Sequence, residues 1–364
     1  MSAGAPTHLL LVRTDHLGDM LLTLPMVDAV KTAFPGCRVT VLASPVNAEA
    51  ARHHAGVDHV EVDPLEAKGS GLRGVGPLAR QVRALGCDAA VVVHPTPRLA
   101  LAVWLGRVPV RVGTAYRAYS VLFNRRVREP RRRPPWKHES QYNVNLLEPL
   151  GVGPVEARPF RWRVSAEEAQ AVDAVLREQR VGDGRFAVLH PGSAGSNLNW
   201  APAQYGELGR RLAADGLRVT VTGGPSETGL TAAVCAASGA GAIDLGGRLS
   251  LSHLAALLQR SVLYVGSSTG PTHLAAAVGT PIVALYSPLR SAAPVRWRPL
   301  GERVEVLTPA VDLVCPKCLG AACPYYHCME RHLAVDAAIA AAQRLLTSPQ
   351  TSPPHPSPRS GDCR

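Results

Sequence analysis

The chain has 364 residues, enough for about two domains that each bury a core. Hydrophobic residues make up 46% and charged residues 18%, which excludes a chain disordered throughout, and Gly and Pro cut every apolar stretch short of the ~20 residues of a membrane span. A formal net charge of +11 favours an anionic partner, whether a phosphorylated sugar, an acidic glycolipid, a membrane surface or nucleic acid.

The first apolar run, His8 to Val12, follows no basic region and precedes no small-residue cleavage site, so a cytoplasmic chain without a secretion signal is expected. In that compartment Cys37, Cys87 and Cys235, each alone in an apolar context, read as small buried hydrophobes. Strands are predicted at His8–Arg13, Arg38–Leu42, His59–Val62, Ala89–His94 and Val110–Val112, with helical patterns between them, notably Asp19–Phe34 and Leu78–Leu85. Such alternation implies a parallel sheet with helices on both faces. From Tyr116 to His138 the pattern gives way to a basic stretch holding Arg125, Arg126, Arg128, Arg131, Arg132, Arg133 and Lys137, expected to be an exposed loop. A helix over His138–Leu150 and a Gly- and Pro-rich linker over Gly151–Pro159 close the first half, giving domains at 1–155 and 156–346.

The second half repeats the alternation. A helix at Ala166–Gln179 precedes strands at Phe186–His190, Arg218–Thr222, Val262–Val265 and Pro281–Tyr286, and Ala334–Leu346 is the last helix. The Pro- and Ser-rich residues 347–364 read as a disordered tail. Between the third and fourth of these strands, Ser267-Ser268-Thr269-Gly270 opens a helix with Ser268 and Thr269 as candidate caps, Pro271 in its first turn and Gly279 after its end. Free amides at such a helix start, with Thr269 and His273 beside them, suit a diphosphate. The alternative is an ordinary strand-to-helix junction with a structural histidine. Near the N-terminus Asp19 opens a helix after the first strand, where a carboxylate is either a favourable charge at the positive helix end or a base in the cleft, with Asp15 as a neighbouring alternative. Cys315, Cys318, Cys323 and Cys328 form C-x2-C-x4-C-x4-C, compatible with structural zinc or with packed thiols.

The segment SSTGPTHLAAAVGTPIVALYSP closely resembles the donor-site segment of glycosyltransferase family 9, the ADP-heptose:lipopolysaccharide heptosyltransferases, although the family form has Asp where this chain has Ser268. The Arg13-x4-Gly18-Asp19 segment is similar to one whose Asp is the family's proposed general base. FAVLHPGSAGSNLNW resembles the first donor-binding loop, in which a basic residue commonly precedes the Trp; here Leu198 and Asn199 precede Trp200, while Ser193, Ser196 and Asn197 can still hydrogen-bond phosphate. Glu227 matches the position proposed to contact the nucleoside ribose, against the plainer reading of a surface acid in a helix's first turn.

The resemblance implies two Rossmann-like domains facing a cleft, the α/β arrangement termed GT-B, whose last helix tends to cross back to the first domain. It implies an inverting, metal-independent transferase without a cofactor, with Asp19 as base and Ser193, Asn197, Glu227, Ser268, Thr269, Gly270 and His273 on an ADP-heptose-like donor. The acceptor would be an anionic glycan or glycolipid met by Arg131, Arg132 and Arg133, with peripheral contact to the cytoplasmic membrane face. Charge on the diphosphate would be met by Arg13, Arg248 or an unidentified residue. Other readings are a GT-B sugar-nucleotide epimerase or hydrolase, an inactive sugar-binding relative, and a nucleic-acid-binding protein, which is not expected because the basic run lacks interleaved aromatics.

Overall fold

The computed structural model describes residues 4–347 apart from 64, 66–70, 132–135, 180, 182–183, 194, 196 and 313–314. In the first half lie strands β1 (His8–Arg13), β2 (Arg38–Ala43), β3 (His59–Val62), β4 (Ala89–Val92), β5 (Val110–Thr114) and β6 (Arg125–Val127). Around them lie helices α1 (Leu17–Leu21), α2 (Pro25–Ala33), α3 (Pro45–Arg52), α4 (Val75–Ala84), α5 (Pro97–Leu105) and α6 (Glu139–Asn145). The second half holds β7 (Phe186–His190), β8 (Arg218–Val221), β9 (Ile243–Asp244), β10 (Leu263–Ser267), β11 (Ile282–Leu285) and β12 (Val304–Leu307). Its helices are α7 (Ala166–Glu178), α8 (Pro202–Ala214), α9 (Thr228–Ser238), α10 (Leu251–Arg260), α11 (Gly270–Val278), α12 (Pro294–Trp297), α13 (Cys328–Arg331) and α14 (Val335–Thr347).

Both sheets are six-stranded and parallel, and both are wound alike: β3-β2-β1-β4-β5-β6, and β9-β8-β7-β10-β11-β12 read from its other edge. This is the doubly wound order, whose ligand crevice lies at the strand carboxyl ends where the order reverses. The reversal falls between β1 and β4 in one sheet and between β7 and β10 in the other. Alternation along β1 sends Leu9 and Leu11 to one face and Leu10 and Val12 to the other, where α4 and α5 cover them. The Leu9 face belongs to an apolar cluster that continues into the second half through Phe160, Trp162, Val188 and Tyr264. The opposite face of the second sheet packs on α8 and α14.

Three sequence expectations are corrected. The Asp19–Phe34 helix is broken at Leu22–Leu24, because Pro25 has no N–H to donate and its ring disfavours a continuous helix before it. The basic stretch is not all loop: Arg125–Val127 pairs with β5 as the sheet's edge strand, where its two exposed arginines protect an open edge. The last helix does not cross back. Its apolar side, Ala338, Ile339, Ala341, Ala342 and Leu345, lies in the cluster covering the second sheet, against α8, β11 and β12. The tail beyond residue 347, and Arg132 and Arg133, lie outside the described residues. Among the described residues no helix is long and apolar enough to cross a membrane.

Candidate active site

Two helix starts meet where the sheets face each other, since α1 packs directly on α11. The approach depends on two glycines. A Cβ on Gly18 would lie 2.9 Å from His273 Cδ2, and one on Gly270 would lie 2.9 Å from Leu17 Cδ2, so each helix seats a side chain on the other's bare backbone. The sequence reading stops the preceding strand before Gly266, but β10 runs on to Ser267. Its end is fixed by Thr272 Oγ1, which donates to the Ser267 carbonyl. Thr269 is the N-cap residue, yet its hydroxyl donates to the Ser267 carbonyl at 3.3 Å and caps no amide, while Ser268 bonds the Tyr286 phenol. The capping expected of Ser268 and Thr269 is therefore absent. No side chain caps the first turn of α11; Pro271 there lacks an N–H and the Thr272 amide bonds the Thr269 carbonyl, so the positive helix end is presented through the Gly270 amide. His273, in the same turn, is buried, and burial lowers its pKa to about 3, with His138 adding to the effect. It is a neutral hydrogen-bonding group, and its buried Nδ1 has no partner among the described residues.

Next to His273, at Gly18, begins a buried charged cluster. Arg13, at the end of β1, gives Nε to Asp15 Oδ1 at 2.6 Å, Nη2 to Asp15 Oδ2 at 2.9 Å, and Nη2 again to Asp19 Oδ1 at 2.5 Å. Past the end of β4, His94 reaches Asp15 Oδ2 with Nδ1 at 3.0 Å and stays half exposed. These contacts push the two carboxylates apart. Burial alone would raise Asp15, but the Arg13 fork and His94 outweigh it and hold the acid well below its ordinary range. For Asp19 burial prevails, helped by the charges of Asp15 and Glu139 against the single bond from Arg13, so its pKa is raised. The lowering that a helix start imposes on an acid is thus more than offset, and of the two acids Asp19 is the better proton acceptor.

The donor loops stand beside α11 at the ends of β7 and β8. Ser193 Oγ donates to the Asn197 carbonyl at 3.1 Å, and Asn197 Oδ1 accepts from Ser287 Oγ at 2.6 Å, leaving its buried Nδ2 without a partner among the described residues. Ser196 lies outside those residues. Leu198 turns away and packs on the cluster containing α8 and α14, while Trp200 is buried and donates to the Leu333 carbonyl. Glu227 is not a surface acid. Half-buried, it accepts from the Gly224 amide at 2.9 Å and lies so closely over Gly192 that no Cβ fits there. It thereby joins the loops after β7 and β8.

Arg131 is no solvated loop residue either: Nη1 pairs with Glu139 Oε1 at 2.6 Å, and the guanidinium lies 5.3 Å from the centre of the Tyr142 ring. Arg13 is held by its two acids through Nε and Nη2, its buried Nη1 having no partner among the described residues, and Arg248 reaches Glu178, at the end of α7, at 3.5 Å. Cys315, Cys318, Cys323 and Cys328 all line one cavity of about 330 Å³ with Leu198 and Met329. Among the described residues no three His, Cys, Asp or Glu side chains are grouped so as to hold a metal ion. Sequence reasoning missed His94, Glu139 and Arg296. For His94 a signal existed, since it lies two residues past the strand beside the switch point; Glu139 and Arg296 are brought together only by the fold.

Two like-wound Rossmann domains facing a crevice are the GT-B architecture. The family model for glycosyltransferase family 9 (heptosyltransferase) matches residues 75–328, and the chain belongs to that family. It is 25% identical over 313 residues to a putative glycosyltransferase of Haemophilus influenzae, covering 81% of this chain and 86% of that one. It is likewise 25% identical over 313 residues to lipopolysaccharide heptosyltransferase 3 of Escherichia coli K12, covering 79% and 83%. Among solved structures, the family 9 transferase of Veillonella parvula superposes with a TM-score of 0.80 at 21% identity, covering 93% of this chain and 97% of that one. Escherichia coli ADP-heptose lipopolysaccharide heptosyltransferase II gives 0.77 at 18%, covering 93% and 98%, and Escherichia coli heptosyltransferase WaaC with ADP gives 0.71 at 20%, covering 93% and 99%. Asp19 precedes the span matched by the family model, so its place in the site stands on geometry.

Proposed function

We propose that this enzyme is an inverting, metal-independent transferase that moves a sugar, of the heptose type, from a nucleoside diphosphate donor to an anionic glycan or glycolipid at the cytoplasmic membrane face. The observation that carries this reading is the direct seating of α1 on α11, which sets the raised-pKa carboxylate of Asp19 next to an uncapped helix start. In the proposed reaction Asp19 takes the proton of the acceptor hydroxyl as its oxygen attacks the anomeric carbon. The bond from that carbon to the diphosphate breaks on the opposite face, and the electron pair leaves with the phosphate oxygen toward the positive start of α11. A single displacement inverts the anomeric centre. Glu227 is proposed to hold the ribose, and Ser193, Asn197, Ser268, Thr269, Gly270 and His273 to surround the diphosphate. Relatives support the donor: solved structures include WaaC with ADP and WaaC with ADP-2-deoxy-2-fluoro heptose.

Thermal-shift titration with ADP, UDP, GDP and CMP, followed by transfer assays on core glycolipids, tests the reading. A ligand at ~100 times its dissociation constant adds about 2.7 kcal/mol and is readily seen. Failure of every nucleotide to bind, or retention of anomeric configuration in the product, would refute it.

A further inference from the structure

A diphosphate leaving group carries negative charge that the described donor loop meets with no cation, because Leu198 and Asn199 precede Trp200. Arg13 is held by Asp15 and Asp19 through Nε and Nη2, leaving only its buried Nη1 without a partner among the described residues, and Arg248 pairs with Glu178 at 3.5 Å. The segment after β11 brings another arginine to the crevice. Tyr286 donates its phenol to the Trp297 carbonyl at 2.6 Å, and Ser268, at the mouth of α11, bonds the same phenol. That chain of contacts ties Trp297, the neighbour of Arg296, to the mouth of α11. Its guanidinium lies 4.7 Å from the centre of the Trp297 ring and gives Nε to Glu139 Oε2 at 2.8 Å. Neither Nη nitrogen has a partner among the described residues, and the side chain remains 26% exposed.

Glu139 explains why the arginine stays there. Its side chain is only 2% exposed, and a buried carboxylate requires a paired cation. Arg131, from the same half of the chain, already supplies one. The second comes from the other half, 157 residues away, across the crevice. An arginine held through Nε keeps its paired Nη groups free, the fork that fits phosphate oxygens. Glu139 also acts electrostatically on both Arg13 and Asp19, so the bridge lies within electrostatic range of the proposed base.

We infer that Arg296 is the cation that receives the leaving diphosphate, and that Glu139 is the residue positioning it across the crevice. This rests on α11 being the diphosphate site. As the anomeric bond breaks and the electron pair passes to the phosphate oxygen, the Arg296 Nη groups meet the new charge while the acceptor proton goes to Asp19.

The test is calorimetric titration of ADP, with melting curves as a check on folding, for wild type, Arg296→Gln, Arg296→Lys, Glu139→Gln, the double variant Glu139→Gln/Arg296→Gln, and Thr269→Ala/His273→Ala. Loss of a charge-assisted contact should weaken ADP about 10-fold or more in Arg296→Gln and flatten the salt dependence. Arg296→Lys should restore part of the affinity, and Glu139→Gln should weaken ADP less and add nothing in the double variant, because it acts through Arg296. Wild-type affinity in Arg296→Gln with weakened binding in Thr269→Ala/His273→Ala overturns the inference alone. Wild-type affinity in both overturns the α11 site with it. Should Arg296→Gln not fold, Arg296→Lys and Glu139→Gln decide: wild-type affinity in both overturns the proposal.

Discussion

Asp19→Asn should abolish transfer and, at neutral pH, make the protein more stable. Loss of a general base costs about 10²–10⁴-fold in rate, which at 1.36 kcal/mol per tenfold is about 2.7–5.4 kcal/mol of barrier. The stability effect follows from the sign of the pKa shift. Burial first, then Asp15 and Glu139, raise Asp19 in the folded state against the attraction of Arg13. Between the unfolded value of 3.8 and the raised folded value the native state binds more protons than the unfolded state, so stability falls as pH rises through that window and the penalty persists above it. Asparagine keeps an oxygen for Arg13 Nη2 without the buried charge, and Arg13 keeps Asp15 at 2.6 Å. The variant should therefore melt higher than wild type at pH 7 and equal to it below pH 3.8. Nucleoside diphosphate affinity should be nearly unchanged, since the base acts on the acceptor. Product formation under saturating donor, together with melting at several pH values, gives both readouts. Near-wild-type turnover would move the base elsewhere, and a lower melting temperature at pH 7 would show that the Arg13 contact outweighs burial.

Gly18→Ala should cut transfer and melting together, because its Cβ would stand 2.9 Å from His273 Cδ2 and overpacking costs about 1–3 kcal/mol; Gly36→Ala, with nothing within 4 Å, serves as control. His273, with its pKa lowered from 6.5 to about 3, contributes stability that is complete above the unfolded value and lost as pH falls through that interval, so His273→Gln should flatten the acid side of a melting-temperature profile there. Arg131→Ser should destabilise the fold by leaving buried Glu139 short of a partner, whereas Arg132→Ser/Arg133→Ser should leave melting unchanged and raise the acceptor KM only at low salt, as expected for steering over a Debye length of about 8 Å; equal salt dependence in wild type and double variant would remove those two from acceptor capture. Metal analysis of purified protein should find far less than one equivalent of zinc and four titratable thiols in the segment Cys315–Cys328, since its cysteines line an open cavity with no three grouped as ligands among the described residues; one equivalent lost on chelation with a fall in melting temperature would restore the zinc reading.

The sheets were legible where strands are buried on both faces, because runs such as Leu9–Val12 and Ile282–Leu285 are then apolar without interruption. β6 was not, since an edge strand needs no apolar face and its Arg125 and Arg126 point to solvent. The break before Pro25 was written in the chain and outweighed by the apolar periodicity on either side. The proposed donor segment was reached by resemblance, and Asp19 by resemblance together with its place after the first strand; that α1 and α11 meet is what the structure adds. What made Asp19 basic was not readable, because that depends on Arg13 being shared with Asp15 and on Glu139, which lies 120 residues further along. His94, Glu139 and Arg296 sit in segments without motif character, and their meaning arises from neighbours that only the tertiary fold supplies.

Gly18 and Gly270 bring the two halves of the chain into contact beside the proposed base and anion site. When two rigid bodies turn about a point of contact, every position is displaced in proportion to its distance from that point. A hinge located elsewhere would carry the base and the anion site apart with each opening of the crevice. Were the halves to turn about this contact as a fulcrum, rotation would widen the rims, while the spacing between Asp19 and the start of α11 would change least. Side chains added to either glycine would lengthen the separation at that fulcrum and shift the reaction geometry in every state of opening at once.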